Sequence, residues 1–149
     1  MKTSEAIETF LAQPALAIVG VSRSGRKFGN AACRALREKG YRVYPIHPSA
    51  ARIDGVTCYG RFTDLPEPVG GVLIVVPPRD AIDVIHEAAD AGIRRVWLQQ
   101  GAESLEALDE CERLGIDVVS GECILMFAHP TGIHKAHRIL RRMFVSLPA

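Results

Sequence analysis

A loop of glycine, serine and basic residues follows the first apolar run of the sequence. It reads Gly20-Val21-Ser22-Arg23-Ser24-Gly25-Arg26-Lys27-Phe28-Gly29-Asn30. The glycines permit a tight turn, and a helix that starts at the end of the loop would offer free backbone N–H groups and its dipole to a phosphate. The G-x-S-x-x-G order has the position of a dinucleotide-binding fingerprint, although Ser22 replaces the second glycine. Because the loop also carries three cations, an anion-binding site is favoured over an ordinary strand-to-helix turn.

A second candidate segment follows the next apolar run and contains His47, Pro48, Ser49 and Arg52. A site for NAD would normally place an Asp or Glu here to bind the ribose hydroxyls, but the first acid, Asp54, comes several residues later. Imidazole, hydroxyl and guanidinium groups instead suit an additional phosphate on the ribose. NAD is therefore disfavoured and a nucleotide with a ribose phosphate is favoured, although the prolines by themselves could simply end a strand.

Three later segments supply the remaining predicted contacts. The Val-Pro-Pro run at residues 76–78 could form a rigid apolar wall beside an adenine or pantetheine group, or only a stiff loop before a helix. Gln99 and Gln100 could cap a ligand or a helix. Cys123 would bring a thiol to the same cleft, although free cysteines are more often inert packing residues than nucleophiles. The predicted ligand-binding residues are Gly20, Val21, Ser22, Arg23, Arg26, Lys27, Asn30, His47, Pro48, Arg52, Val76, Pro77, Pro78, Gln99, Gln100 and Cys123.

These residues can form one site only if the elements before them meet at one edge of a sheet. Near-continuous apolar runs, typical of buried parallel strands, predict strands at Ala15–Val19, Arg42–Ile46, Val72–Val76, Arg95–Leu98 and Ile116–Val119, with a further short strand at Thr57–Tyr59. Helical spacing predicts helices at Thr3–Ala12, Asn30–Lys39, Asp80–Ala91, Ser104–Leu114 and Ile133–Phe144. Three of these helices end at a glycine before the next strand, which is β-α-β repetition. The prediction is a single α/β domain over residues 1–149, with a Rossmann-like doubly wound parallel sheet between two helical layers.

Composition narrows the classes of partner. The 149 residues carry a net charge of +1, which gives no support to a nucleic-acid role. The charge is unevenly distributed, since residues 22–52 contain eight Lys or Arg and one acid, a local net charge of +7. No apolar run is long enough to span a bilayer, and no secretory signal is recognisable, so a cytoplasmic protein with four reduced cysteines is expected.

Histidines near the C-terminus raise the question of a metal site. His134 and His137 are three residues apart on the predicted last helix, and Cys123 and His129 are the residues that could complete a ligand set. Because basic residues are interleaved with these histidines, a solvated basic helix is favoured and no metal site is predicted. No G-x-S-x-G, H-E-x-x-H or lysine-bearing P-loop is present, so no catalytic residues are predicted.

Four segments in this order resemble the CoA-binding domain family, a group of stand-alone bacterial proteins similar to the N-terminal domain of the succinyl-CoA synthetase alpha subunit. They are V-G-V-S from Val19, G-Y-R-V-Y-P-I-H-P from Gly40, V-W-L-Q-Q-G from Val96 and G-I-D-V-V-S-G-E-C from Gly115. The resemblance covers roughly residues 3–126. It implies a Rossmann-like fold that binds CoA across the strand ends.

The resemblance also implies where CoA would lie. The diphosphate would bind at residues 22–30 and the ribose phosphate near residues 48–52, while residues 76–79 and 99–101 would line the remainder. Two departures stand out: His47 replaces an Asn of many relatives, and Ser49 replaces a frequent Lys, so recognition of the 3′-phosphate would depend on Arg52 or on the loop. The second synthetase domain with its phosphohistidine is not part of the resemblance, so ligase chemistry is not implied.

The leading hypothesis is a cytoplasmic CoA or acyl-CoA binding module that acts as a carrier, sensor or partner rather than a catalyst. A protein partner or a homodimer stays open. The alternative is an NADP-dependent oxidoreductase or another nucleotide-binding enzyme, since a basic segment without a ribose acid also permits a 2′-phosphate. Weaker hypotheses are a metal site at Cys123 and the three C-terminal histidines, and a mixed disulfide between Cys123 and the CoA thiol.

Overall fold

Five short buried strands form one parallel sheet in the computed structural model, which describes residues 3–128. The elements in chain order are α1 (Thr3–Leu11), β1 (Ala15–Val19), α2 (Phe28–Glu38), β2 (Arg42–Ile46), β3 (Arg52–Ile53), β4 (Val56–Thr57), β5 (Gly71–Ile74), α3 (Pro78–Asp90), β6 (Arg95–Leu98), α4 (Leu105–Arg113) and β7 (Asp117–Ser120). Single turns of 3-10 helix occur at Phe62–Asp64 and Ile124–Met126. The predicted doubly wound fold is confirmed, and the helix predicted at Ile133–Phe144 lies outside the described residues.

The strand order of the sheet reverses beside β1. The sheet runs β2-β1-β5-β6-β7, so the chain moves outward from β1 to β2 and then crosses to the other side of β1. All four neighbouring pairs are parallel. The loops after β1 and β5 therefore leave the same edge of the sheet and diverge to opposite faces. That reversal is where open α/β sheets form their ligand-binding crevice.

Alternate residues of the strands supply the two faces of the core. Leu16, Leu73 and Trp97 are fully buried on the face covered by α1 and α2. Val72 and Leu98 are fully buried on the opposite face, which α3 and α4 cover. Because both faces are covered, the strands are apolar throughout, as the sequence pattern indicates. None of the helices within residues 3–128 has the length and apolar character needed to cross a membrane.

Three glycines end the helices as predicted. Gly40, Gly92 and Gly115 follow α2, α3 and α4 with φ of +99°, +83° and +71°. In each case the residue after the glycine donates its N–H to a carbonyl five residues back in the helix, and the glycine itself donates to the carbonyl three residues before it. This is the Schellman arrangement, which needs the left-handed conformation that glycine adopts without strain.

The second strand is an edge strand tied to the crossover that follows it. Arg42 donates two hydrogen bonds to Glu67, of 2.7 and 2.8 Å, and the Tyr44 hydroxyl donates to the same carboxylate. These hydrogen bonds lower the pKa of Glu67 to about 2. The predicted strand at Thr57–Tyr59 is replaced by the β3–β4 hairpin, whose turn has positive φ at Asp54 and Gly55, followed by a single bridge between Tyr59 and Ile46.

Candidate functional site

The loop after β1 is compressed between β5 and the start of α2. Gly20 has a φ of +126°, and a Cβ on it would stand 2.2 Å from the carbonyl oxygen of Val75. A Cβ on Gly29 would stand 2.2 Å from the carbonyl oxygen of Gly20. Both contacts are with backbone atoms, so neither position has space for a larger residue. The result is a helix that begins directly above the carboxyl end of β1.

The glycine that permits this approach is not the one that the sequence motif indicates. Gly25, the last glycine of the G-x-S-x-x-G pattern, has a φ of +72° and faces the Asp54 side chain. Gly29 lies where α2 contacts the strand, and α2 begins at Phe28 rather than Asn30. In the sequence, Gly29 immediately precedes the predicted helix, which is a sign of close packing between the helix and the strand. The dinucleotide-binding spacing indicates Gly25 instead.

Asn30 holds the loop in shape from inside. It is 2% exposed, its Oδ1 accepts the N–H of Ser22 at 3.0 Å, and its Nδ2 donates to the carbonyl of Ser22 at 3.0 Å. Both polar atoms of the amide are therefore paired with one residue eight positions earlier. Asn30 fixes the backbone where the second glycine of a dinucleotide loop would be.

The hydroxyls and cations of the loop are on its outer side. Ser22 Oγ accepts the N–H of Ser24 at 3.2 Å, and Ser24 Oγ accepts the N–H of Arg26 at 3.2 Å. Arg26 and Lys27 are exposed, and Lys27, at the N-cap of α2, makes no side-chain cap hydrogen bond. An uncapped helix start with adjacent cations has the charge and the donors that a phosphate requires.

The turn after β2 contacts this loop directly. His47 Nδ1 accepts the backbone N–H groups of Ser49 and Ala50, at 3.1 and 2.9 Å. Arg23 extends from the first loop and donates from Nη2 to Ser49 Oγ at 2.8 Å. The structure therefore brings two predicted groups together that are 26 residues apart in the sequence. Pro48 lies exposed at the tip of the turn.

Arg52 is engaged within its own hairpin. Its Nη2 donates to the carbonyl of Gly55 at 2.7 Å, across the β3–β4 turn. The adjacent Asp54 accepts from Arg34 of α2 at 2.8 Å, and Arg34 also donates to the Gly25 carbonyl at 3.2 Å. The hairpin is thus fixed to α2 beside the first loop, a contact that no sequence pattern indicates.

The remaining predicted residues follow β5, β6 and β7. Val76 is half-buried, Pro77 is the exposed N-cap of α3, and Pro78 is its first residue, a position that suits proline because no N–H is needed there. Gln99 is 4% exposed, and its Oε1 accepts the N–H of Ile124 at 3.1 Å. The exposed Gln100 side chain lies 3.5 Å from the Gly121 carbonyl.

The four cysteines differ in environment, and all are free thiols. Burial raises the pKa of Cys33 and of Cys111 to about 11, and burial also raises the pKa of Cys58. Cys123 is half-buried and precedes the second 3-10 turn. Within residues 3–128 no group of three or more His, Cys, Asp or Glu side chains is arranged to bind a metal ion. His129, His134 and His137 lie outside the described residues.

The sequence and fold are similar to those of known proteins. A family model described as a CoA binding domain matches residues 15–129. The ADP-forming acetate–CoA ligase II of Archaeoglobus fulgidus is 30% identical over 123 residues, which cover 79% of this chain and 18% of the ligase. The chain therefore corresponds to less than a fifth of the length of that relative.

Two solved structures of about the same size share the fold. A conserved hypothetical protein from Pyrococcus furiosus is 37% identical with a TM-score of 0.71, and the match covers 75% of this chain and 97% of the other. A protein from Thermus thermophilus is 27% identical with a TM-score of 0.75, and the match covers 92% and 99% of the two chains. Domains of this kind thus occur both as short chains and within long ligases.

Proposed function

The chain belongs to the CoA-binding domain family, and from this premise we propose that it binds CoA or an acyl-CoA at the carboxyl ends of β1, β2 and β5. The observation that carries the proposal is the paired anchoring of two loops: Asn30 holds the backbone of Ser22, and Arg23 joins this loop to Ser49. Together they form a cationic edge directly at the reversal of strand order.

The phosphates of CoA match the groups that this edge offers. The diphosphate would lie against the loop at residues 22–30, where the start of α2 supplies N–H groups and Arg26 and Lys27 supply charge. The 3′-phosphate would lie near the turn after β2, within reach of Arg23 once that guanidinium leaves Ser49. Charge-assisted hydrogen bonds of this kind are stronger than neutral ones. Arg52 would join them only by exchanging its bond to the Gly55 carbonyl for one to the ligand.

The role that we propose is that of a carrier, sensor or partner protein rather than a catalyst. Support comes from the buried or backbone-bonded state of the polar side chains around the cleft, such as Asn30 and Gln99, which stabilise loops instead of presenting a reactive group. Ligation as performed by the long relatives is not part of this proposal. We also propose a cytoplasmic location, where the four cysteines would stay reduced.

A panel of ligands tests the proposal by thermal unfolding. CoA and acetyl-CoA at about 100 times their dissociation constant should stabilise the fold by about 2.7 kcal/mol, which corresponds to a rise in Tm of several degrees. Dephospho-CoA should raise the Tm less, because it lacks the 3′-phosphate. NAD should have no effect.

Two other results of the same panel would contradict the proposal. A Tm that rises with NADP and not with CoA would favour the alternative of an NADP-binding enzyme. An unchanged Tm with CoA, acetyl-CoA and dephospho-CoA at millimolar concentration would remove CoA binding as the function.

A further inference from the structure

The imidazole of His47 is the hydrogen-bond acceptor that shapes the turn after β2. Its Nδ1 receives two backbone N–H groups, from Ser49 at 3.1 Å and from Ala50 at 2.9 Å. The N–H of His47 itself donates to the carbonyl of Tyr59 at 2.9 Å, so the residue is also fixed to the segment after β4. The residue is half-buried.

An acceptor at Nδ1 sets the protonation state of the ring. A neutral imidazole has one N–H and one lone pair, and a doubly protonated imidazolium has donors at both nitrogens and no acceptor. The two bonds to Nδ1 therefore require a neutral ring with its proton on Nε2. If the ring takes up a second proton, Nδ1–H faces two N–H donors, and both hydrogen bonds are lost.

We propose that His47 is a positioning residue, which holds the turn after β2 in its ligand-binding shape only while its imidazole is neutral. The proposal rests on the proposed function, since the ligand concerned is CoA. It reverses the usual expectation for a histidine beside a phosphate, which is tighter binding as the ring becomes positive. Here acidification disrupts the turn that carries Ser49, and with it the contact between Ser49 and Arg23.

The charged and titratable side chains near His47 belong to the loop after β1, the β3–β4 hairpin and the segment after β4. Arg23 comes from the loop after β1, and Arg52 comes from β3, whose hairpin adjoins the turn through a hydrogen bond from the N–H of Cys58 to the carbonyl of Ala51. The hairpin turn also carries Asp54, which pairs with Arg34. The segment after β4 carries Cys58, with a pKa raised by burial, Tyr59 and Arg61.

Two variants separate positioning from direct contact. In His47→Asn the amide Oδ1 takes the place of Nδ1, because both are bonded to Cγ, and the amide does not titrate. In His47→Ala the acceptor is absent at every pH. CoA affinity is measured by calorimetry at pH 7.5 and pH 5.5 for all three proteins, at constant ionic strength.

The wild-type protein should lose CoA affinity by about tenfold more than His47→Asn between the two pH values, because protonation of the imidazole removes both hydrogen bonds to Nδ1. Dividing the affinity loss of the wild type by that of His47→Asn cancels the effect of CoA phosphate titration, because the ligand is the same for both proteins. His47→Ala should bind weakly at pH 7.5 and show the same pH dependence as His47→Asn. Equal pH profiles of the wild type and His47→Asn, or tighter binding by the wild type at pH 5.5, would overturn the proposal.

A measurement without ligand keeps this inference apart from the proposed function. The ¹⁵N shifts of the His47 ring should show Nδ1 unprotonated at pH 7.5, and the amide signals of Ser49 and Ala50 should move during the histidine titration in the wild type only. If no protein binds CoA at either pH, the proposed function fails and these spectra alone decide the role of His47. A protonated Nδ1 at pH 7.5 would refute that role whether or not CoA binds.

Discussion

At the scale of single residues, the polar side chains around the cleft act mainly on the backbone. Asn30 accepts the main-chain N–H of Ser22, His47 accepts main-chain N–H groups of its own turn, and Gln99 accepts that of Ile124. A buried polar side chain without such partners would cost free energy, so these pairings explain why polar residues are tolerated there. The ligand would then meet a backbone shape that these residues maintain.

Asn30→Ala tests this role. It removes two hydrogen bonds and leaves the N–H of Ser22 without its partner, while the Ser22 carbonyl keeps the N–H of Gly25 at 3.0 Å. The free energy of unfolding should therefore fall by about 1–3 kcal/mol. CoA affinity should fall at least tenfold, because the loop at residues 22–30 loses its fixed shape. Urea unfolding and calorimetry measure the two effects.

Ser24→Ala is the matched control in the same loop. Ser24 is exposed, and its hydroxyl accepts the N–H of Arg26 at 3.2 Å and lies within hydrogen-bond distance of the Ser22 hydroxyl, at 3.0 Å. Its loss should change the free energy of unfolding by about 0.5 kcal/mol or less. Equal losses of stability in the two variants would show that Asn30 has no special role in the loop.

At the scale of elements, the approach of α2 to β1 and β5 decides where the site lies. The dipole of α2 and its first N–H groups act over a short range, so the helix must begin close to the ligand. Gly20 and Gly29 permit this approach, since a Cβ at either position would stand 2.2 Å from a backbone oxygen. The close contact therefore depends on how α2 packs against the end of β1 and the residue after β5.

Gly29→Ala should therefore displace the start of α2. Alanine normally favours a helix over glycine by about 1 kcal/mol, but the overlap with the Gly20 carbonyl should outweigh this and destabilise the fold by about 1–3 kcal/mol. CoA affinity should fall together with stability, as measured by calorimetry and urea unfolding.

Gly60→Ala provides the comparison, because a Cβ there would meet only the Asp64 carboxylate at 3.9 Å, an ordinary contact distance. It should leave both stability and CoA affinity close to the wild-type values. A Gly29→Ala protein that is as stable as the wild type would show that the helix can shift without loss.

At the scale of the whole molecule, CoA could be attracted either by the overall charge of the protein or by the cations of the loop at residues 22–30. The basic segment at residues 22–52 carries a net charge of +7, but the structure engages several of its cations elsewhere. Arg34 pairs with Asp54, Arg37 donates to the Val43 carbonyl, and Arg42 pairs with Glu67. The cations of the loop itself, such as Arg26 and Lys27, remain exposed beside the start of α2.

Two double variants with the same change in net charge distinguish these cases. Arg26→Gln with Lys27→Gln should lower CoA affinity by about threefold to tenfold and reduce its dependence on salt, since nearby exposed cations each contribute a fraction of a kcal/mol. Arg94→Gln with Arg113→Gln removes two exposed cations before β6 and at the end of α4, near the opposite edge of the sheet.

The second pair should leave CoA affinity close to that of the wild type, as measured by calorimetry at low and moderate salt. Similar losses in both double variants would mean that the overall field of the protein, rather than the loop, attracts the ligand. This comparison also tests the location of the phosphates independently of His47.

Most of the secondary structure could be predicted from the sequence because its causes are local. The strands at Ala15–Val19, Arg42–Ile46 and Arg95–Leu98 are where the apolar pattern predicts them, and the helices end at the glycines that the pattern indicates. The third long strand ends earlier than predicted, at Ile74, because the chain there turns toward Pro77 and the start of α3.

The site residues divide in the same way. Residue types and their places after strands predict an anion-binding loop at the carboxyl edge, which stays a prediction, and the positions of both polar loops at that edge are as expected from short stretches of chain. The side chains' partners were not predictable: Arg23 meets Ser49 26 residues away, and Arg34 meets Asp54 20 residues away. Such pairings depend on the order of the strands, for which no local pattern exists.

The sequence by itself thus determined the elements, their apolar faces and the chemical character of the cleft, because these follow from backbone propensity and periodicity. Only the tertiary structure decided that Gly29 rather than Gly25 allows the helix to approach, that Asn30 holds the backbone of Ser22, and that Arg23 meets Ser49. The physical reason is that close packing and hydrogen bonds between distant segments form only when the sheet brings those segments together.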